Sequence, residues 1–219
     1  EAYYKYLGNQ LEFKQGAQLW LNQNMEGEMM SGEGKAYGVE LLLEKKKGKL
    51  TGWIGYTLSR TERTFAQLNN GNPFPYRYDR THDISIVSIY NPCSHWALSS
   101  VFVFGTGNAL TMPTGRINYN VGFNISQRTV SYTSMNQYEV INNYRLPAYH
   151  RLDLCATYTP ASKKKKRFSS SWNFNVYNVY NRHNPYFIYM DINQTERSLQ
   201  GKMVYLFPIT PAIGWNFKF

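Results

Sequence analysis

A chain of 219 residues has room for one domain or at most two. Its mean hydropathy of -0.52, with no run near the roughly 18 to 20 apolar residues of a spanning helix, excludes a helical membrane protein. Aromatic residues make up 16% and charged ones only 17%, against about 25% charged in soluble domains, a balance that suits membrane strands of about 9 to 11 alternating residues. Much of the net charge of +10 sits in two short runs, Lys45-Lys46-Lys47 with Lys49, and Lys163 to Lys166 with Arg167. Each run lies between strand-like segments, so solvated hairpin turns account for it better than a nucleic-acid surface, and a turn near an anionic membrane is the other reading.

About eight strands are expected in chain order, from the period-two alternation of apolar and polar residues. The first covers 2–13 and is followed by a Gly, Gln, Asn and Met-rich loop over 14–34. In the second, 35–45, Tyr37, Val39, Leu41 and Leu43 oppose Gly38, Glu40 and Glu44. After a tight Lys and Gly turn, the third, 50–64, sets Leu50, Ile54, Tyr56 and Leu58 against Thr51, Gly55, Thr57 and Ser59. The Asn, Gly and Pro of 65–77 predict a loop. The fourth strand, 78–90, places Ile84, Ile86 and Tyr90 opposite Asp83 and Ser85. The fifth, 96–111, places Trp96, Leu98, Phe102 and Phe104 opposite Ala97, Ser99, Gly105 and Gly107. A long polar loop is expected over 113–146.

The sixth strand, 148–158, sets Leu152, Leu154, Ala156 and Tyr158 against Arg151, Asp153 and Thr157. The seventh sets Trp172, Phe174, Val176 and Tyr180 against Ser171, Asn173 and Asn175. A loop over 190–198 leads to the last strand, 202–219, whose odd positions from Tyr205 to Phe219 form one apolar series.

Two regularities select the fold class. The polar rows carry Asp83, Arg151, Asp153, Asn173, Asn175 and Asn216, which a dry core accommodates only with partners and a wet lumen accommodates readily. Connections also alternate between short turns and long loops, the layout of outer-membrane barrels rather than of a soluble sandwich. The expected fold is therefore all-β, an antiparallel meander of transmembrane barrel strands.

No catalytic centre is expected. His82, His95, His150 and His183 lie in separate segments without metal-ligand spacing, and no nucleophile is set in a Gly-rich elbow. Gly105-Thr106-Gly107-Asn108 is followed by no helix that would make it a phosphate cradle. No cofactor is expected. Cys93 and Cys155 are expected as unpaired thiols. Arg80, Asp83, Arg151 and Asp153 are expected as lumen charges that pair and hold neighbouring strands. Tyr119, Phe123, Tyr132, Tyr138 and Tyr144 of the 113–146 loop are candidates for stacking on a ligand, with shielding of the barrel mouth as the alternative.

The stretches FPYRYDRTHDISI at 74–86, YRLPAYHRLDL at 144–154 and SWNFNVYNVYNRHNPYFIY at 171–189 resemble the C-terminal barrel strands of TonB-dependent receptors, of the type that carries a carboxypeptidase-regulatory-like domain. The C-terminal Trp215, Phe217 and Phe219 resemble the signature by which Gram-negative barrel proteins are recognised for assembly. The resemblance implies residence in the cell outer membrane, contact with its lipid, and uptake of a large scarce nutrient such as a siderophore or a glycan. It also implies a roughly 22-stranded, plugged barrel. With about eight strands, no plug and no leader in its sequence, the chain is expected to be the C-terminal part of such a receptor. The N-terminal plug, the other barrel strands and the contact with the TonB complex then belong to the missing part. The alternative is a stand-alone eight-stranded barrel acting as an adhesin or membrane anchor.

Overall fold

The computed structural model describes all residues except 15, 125–128, 162–168, 194–197 and 219. In chain order the strands are β1 (Ala2–Phe13), β2 (Met29–Lys45), β3 (Leu50–Thr64), β4 (Phe74–Pro75), β5 (His82–Cys93), β6 (Trp96–Gly105), β7 (Ala109–Leu110), β8 (Gly115–Asn124), β9 (Thr129–Gln137), β10 (Tyr144–Arg145), β11 (Tyr149–Tyr158), β12 (Ser169–Tyr177), β13 (Pro185–Asn193), β14 (Ser198–Tyr205) and β15 (Thr210–Lys218). Eight of them form a wall in the order β1-β2-β3-β5-β6-β11-β12-β15, antiparallel throughout. β1 and β15 do not pair, so the wall is an open sheet. Short turns join β2 to β3 and β5 to β6 at one end, while long connections fill the other.

The register carries the expected alternation across every wall strand. Leu58 lies beside His82, Ile86 beside Phe102, Leu154 beside Ser100 and Val176, and Trp172 beside Trp215. This row is the outer face, and no protein covers it: Leu41 is 61% exposed and Ile213 72%. Among the described residues only Met30, Phe65, Leu68, Phe74 and Ala109 are buried apolar side chains. The accessible surface is 15989 Å², against roughly 10,400 Å² for a compact monomer of this mass. A free-standing soluble domain would leave far less apolar side chain uncovered.

Aromatic groups gather at two levels of the outer face. Toward the short turns, Trp96 packs on Tyr158 with centroids 4.9 Å apart, Trp172 stacks on Trp215 at 5.6 Å, and Trp215 meets Phe217 at 4.8 Å. Toward the long loops, Tyr4 stacks on Tyr37, and Tyr56 and Tyr180 bring their hydroxyls to Nδ1 of His82 and His150, each at 2.9 Å. From Tyr158 to His150 is about 27 Å of strand, or roughly 20 Å of height at barrel tilt, close to the apolar band between the girdles of a membrane barrel. Between the levels, Ser88 and Ser100 are hydroxyl partners at 2.8 Å.

The inner face is polar toward the long loops, but Leu42, Trp53, Val87 and Val101 give it an apolar patch near the short turns. Trp53, a polar-row position of β3, broke no pattern strongly enough to be singled out in the sequence.

Several boundaries differ from expectation. β2 begins at Met29, six residues before 35, because residues 29–34 pair with β1 on one side and Glu33 and Gly34 with β3 on the other. The fourth wall strand starts at His82, since Asp79 closes a turn onto the Tyr76 carbonyl. The fifth ends at Gly105. Residues 115–124 and 129–137 of the expected 113–146 loop form a two-stranded ribbon, β8 and β9, and residues 190–193 and 198 of the expected 190–198 loop belong to a second, β13–β14. The last strand is broken. Phe207 adopts a left-handed φ of 55° and Pro208 has no N–H to donate, so Tyr205 closes the β14 ribbon while Thr210 opens β15. Tyr205, Phe207 and Ile209 therefore do not continue the outer row of Ile213, Trp215 and Phe217.

Candidate functional site

The long-loop end is held together by buried polar groups and one small core. Phe65, 1% exposed, stacks on Phe74 over Met30 and Leu68, with Ile141 packed against them. Gly32 makes this seat possible, because a Cβ there would lie 2.4 Å from the Phe65 ring. Beside it, the buried Asp79 accepts a hydrogen bond from the Thr61 N–H at 2.6 Å and an ion pair from Arg145. Arg145 also donates to the carbonyls of Asp79 at 2.8 Å and Gly107 at 3.1 Å. One guanidinium thus joins the β3–β5 connection to the β6–β11 connection, and its partner carboxylate is satisfied on both oxygens.

Asparagines perform the same task along the rim. Asn178, 1% exposed with φ of 54°, donates its N–H to Asp153 Oδ1 at 2.9 Å and its amide to the carbonyls of Arg182 and Phe207. Asn184 exchanges two hydrogen bonds with the His150 backbone, and Asn181 accepts from the Ile209 N–H. Asn142 and Asn143 clip the other connection to Thr111, Met112 and Pro75. Asn tolerates left-handed φ and can replace a missing backbone partner, which is why it recurs here.

Between β1, β4 and the ribbon of β8 and β9 these connections leave a cleft of about 690 Å³. Phe13, Phe74, Tyr76 and Tyr138 give it aromatic walls, and Glu12, Lys14 and Arg77 give it charge. Glu12 is engaged by Arg63 at 3.5 Å, and Lys14 donates to the Gly27 carbonyl at 2.6 Å. Arg63 also lies over the Tyr76 ring at 3.8 Å. The Arg77 guanidinium lies 5.8 Å from the Tyr78 ring and, among the described residues, has no hydrogen bond or ion pair. The cleft therefore offers an uncommitted guanidinium beside flat apolar surfaces, a setting for a ligand with anionic and planar parts.

Of the five aromatics proposed for the loop, the fold brings Tyr138 to this cleft. Tyr119 is on β8 and exposed, Tyr144 is on β10 and exposed, and Phe123 and Tyr132 stand on the ribbon. The four charges expected to line the lumen pair as Arg80 with Asp83 at 3.2 Å and Arg151 with Asp153 at 2.9 Å. Neither ion pair spans two strands. The cross-strand link from Arg151 is its hydrogen bond to the Tyr177 hydroxyl at 2.6 Å, and from Asp153 the Asn178 N–H. Trp215 and Phe217 are on the outer face of β15, and Phe219 lies outside the described residues, as does the 163–167 lysine run. Both cysteines are free. Among the described residues no His, Cys, Asp and Glu cluster is composed to hold a metal ion.

The sequence reading passed over Asp79, Arg145 and Asn178. Asp79 and Arg145 are 66 positions apart and carry no local signature. Asn178 had one: Asn175, Asn178, Asn181 and Asn184 recur every third residue where a strand would alternate by two.

A family model described as TonB dependent receptor-like, beta-barrel matches residues 1–179. No protein of curated function matches the chain. Among solved structures, the ferripyoverdine receptor of the outer membrane of Pseudomonas aeruginosa, bound to ferripyoverdine, is similar with a TM-score of 0.51 at 13% identity. The likeness covers 99% of this chain and 24% of that one, so the chain spans about a quarter of the receptor it matches.

Proposed function

This chain belongs to the TonB-dependent receptor β-barrel family, and from that membership we propose that it is the C-terminal part of the wall of an outer-membrane receptor for a large, scarce nutrient. The observation that carries the reading is the uncovered apolar outer face between two aromatic levels, on a sheet whose end strands remain unpaired. In this reading the outer row meets lipid, the polar inner row lines the lumen, and the short turns face the periplasm. The unpaired edges of β1 and β15 bond to further strands, since an open edge in hydrocarbon leaves unsatisfied N–H and C=O groups. A plug and the TonB contact are supplied by those other parts. Trp215 and Phe217 serve insertion and assembly.

The same reading makes the protein a transporter rather than an enzyme, with the long-loop cleft as a point of ligand contact. Arg77 binds the anionic part of the nutrient, and Tyr76 and Tyr138 flank its planar part. The first test is the intact mass of the protein that yields these peptides when outer membranes are extracted in detergent. A folded species several times 25.6 kDa is expected. A folded, detergent-requiring species near 25.6 kDa would refute the partial-wall reading and favour a small closed barrel.

A further inference from the structure

The outer face carries an apolar notch near the short turn between β2 and β3. At its floor Gly52 pairs with Lys45 of β2 on one side and Ser88 of β5 on the other. Gly52 has φ of 149°, and a Cβ there would lie 2.0 Å from the Val87 carbonyl oxygen, so this point of the face must stay bare. Leu43, Leu50, Ile54 and Ile86 rise around it and enclose about 180 Å³. The Ser88 hydroxyl is committed to Ser100 and leaves the notch without a polar demand of its own.

A cluster of cations in the chain adjoins the notch at the turn. Lys45 lines it directly, and Lys46, Lys47 and Lys49 follow within the turn. Glu44, the neighbouring acid, is occupied by Lys46 at 3.1 Å. Among the described residues Lys45, Lys47 and Lys49 have no ion pair, so uncommitted cations of the β2–β3 turn adjoin a hydrocarbon-lined groove. A solvated turn explains the lysines but not the groove, and a loosely packed face explains the groove but not the lysines.

We propose that this notch is a binding site for one phospholipid of net negative head group in the periplasmic leaflet. Lys45, Lys47 and Lys49 take its phosphate, and an acyl chain lies over Gly52 between Leu43, Leu50 and Ile54. The site rests on the reading of this face as lipid-facing. It combines the two attractions that hold lipid at a protein surface, apolar contact and lysines at head-group level.

The test uses the complete receptor that contains this wall, reconstituted in nanodiscs of equimolar phosphatidylglycerol and phosphatidylethanolamine. Native mass spectrometry after detergent release then counts the retained lipid. One retained phosphatidylglycerol is expected, enriched at least about fivefold over phosphatidylethanolamine, the factor that the attraction of a single lysine for an anionic surface supplies. The triple variant Lys45→Gln, Lys47→Gln, Lys49→Gln brings the two lipids to near parity. Leu50→Trp, which extends a ring over the notch, lowers retention of both lipids without restoring parity. Equal retention by the unaltered protein, or an unchanged preference in the triple variant, overturns the site while leaving the barrel reading intact. A protein that does not enter nanodiscs at all overturns both.

Discussion

Arg145 offers the sharpest test of how the long-loop end is held. Its guanidinium pairs with Asp79, whose side chain is only 1% exposed, and donates to two carbonyls at 2.8 and 3.1 Å. Arg145→Met keeps the length of the stem and removes all of this. Asp79 is left as a buried carboxylate with the Thr61 N–H as its remaining donor. Breaking a buried pair from one side costs about 3 to 5 kcal/mol, and the lower end applies because the Arg145 side chain is 30% exposed and water can reach the vacated space. About 3 kcal/mol is roughly a hundredfold in an opening equilibrium. Hydrogen exchange in detergent should therefore show the Thr61 amide losing roughly a hundredfold of protection, while amides at the centre of β11 stay unchanged. Adding Asp79→Asn should restore much of the loss, because no uncompensated charge then remains. If Thr61 stays protected in Arg145→Met, or if Asp79→Asn only adds a further independent loss, the pair does not anchor these connections.

Three further outcomes follow from the same geometry. Ser88→Ala leaves the Ser100 hydroxyl without its partner on the outer face and should cost about 1 to 2 kcal/mol in urea unfolding from vesicles, whereas Ser88→Ala with Ser100→Ala should recover most of that. Asn178→Ala should lower stability by about 2 to 4 kcal/mol in thermal unfolding, and Asn178→Gly by about 1 to 2 kcal/mol less, since Gly adopts the φ of 54° without penalty. A double-mutant cycle of Trp172→Ala and Trp215→Ala, read in the same vesicle assay, should give a coupling of about 0.5 to 1.5 kcal/mol for rings stacked at 5.6 Å; a coupling near zero would mean that lipid, not the partner ring, holds each indole.

The wall was legible because its two faces meet different surroundings. Leu98, Phe102 and Phe104 against Ser99 and Gly105 spell a strand with one apolar side, and the register places them as that pattern requires. The ribbon of β8 and β9 was not legible for a different reason. β8 does alternate, Ile117, Tyr119, Val121 and Phe123 against Arg116, Asn118, Asn120 and Gly122. Its Asn and Gly content and the mostly polar β9 nevertheless read as loop, and pairs such as Asn118 with Ser134 at 2.5 Å satisfy each other across the ribbon. The break between β14 and β15 was hidden by a row of aromatics that continued through it, and only the backbone of Phe207 and the missing N–H of Pro208 separate two sheets there. At the cleft, Tyr138 belonged to a stretch already read as ligand-facing, but Arg77 stood out by nothing in its neighbourhood. Its significance comes from the other basic groups being engaged, Arg63 by Glu12 and Arg145 by Asp79.

The break at Phe207 also sets the ribbon apart from the wall. β14 and β15 follow one another in the chain, yet among the described residues β14 pairs with β13 and β15 with β12. The ribbon is tied to the rim where Asn178 donates to the Phe207 carbonyl, Asn181 receives the Ile209 N–H and His183 stacks on Tyr205 at 4.0 Å. Those side-chain contacts are separate from the nine-rung ladder that runs from Ser169 and Lys218 to Tyr177 and Thr210. The register of the wall is thus set without the ribbon, since no rung of that ladder belongs to β13 or β14.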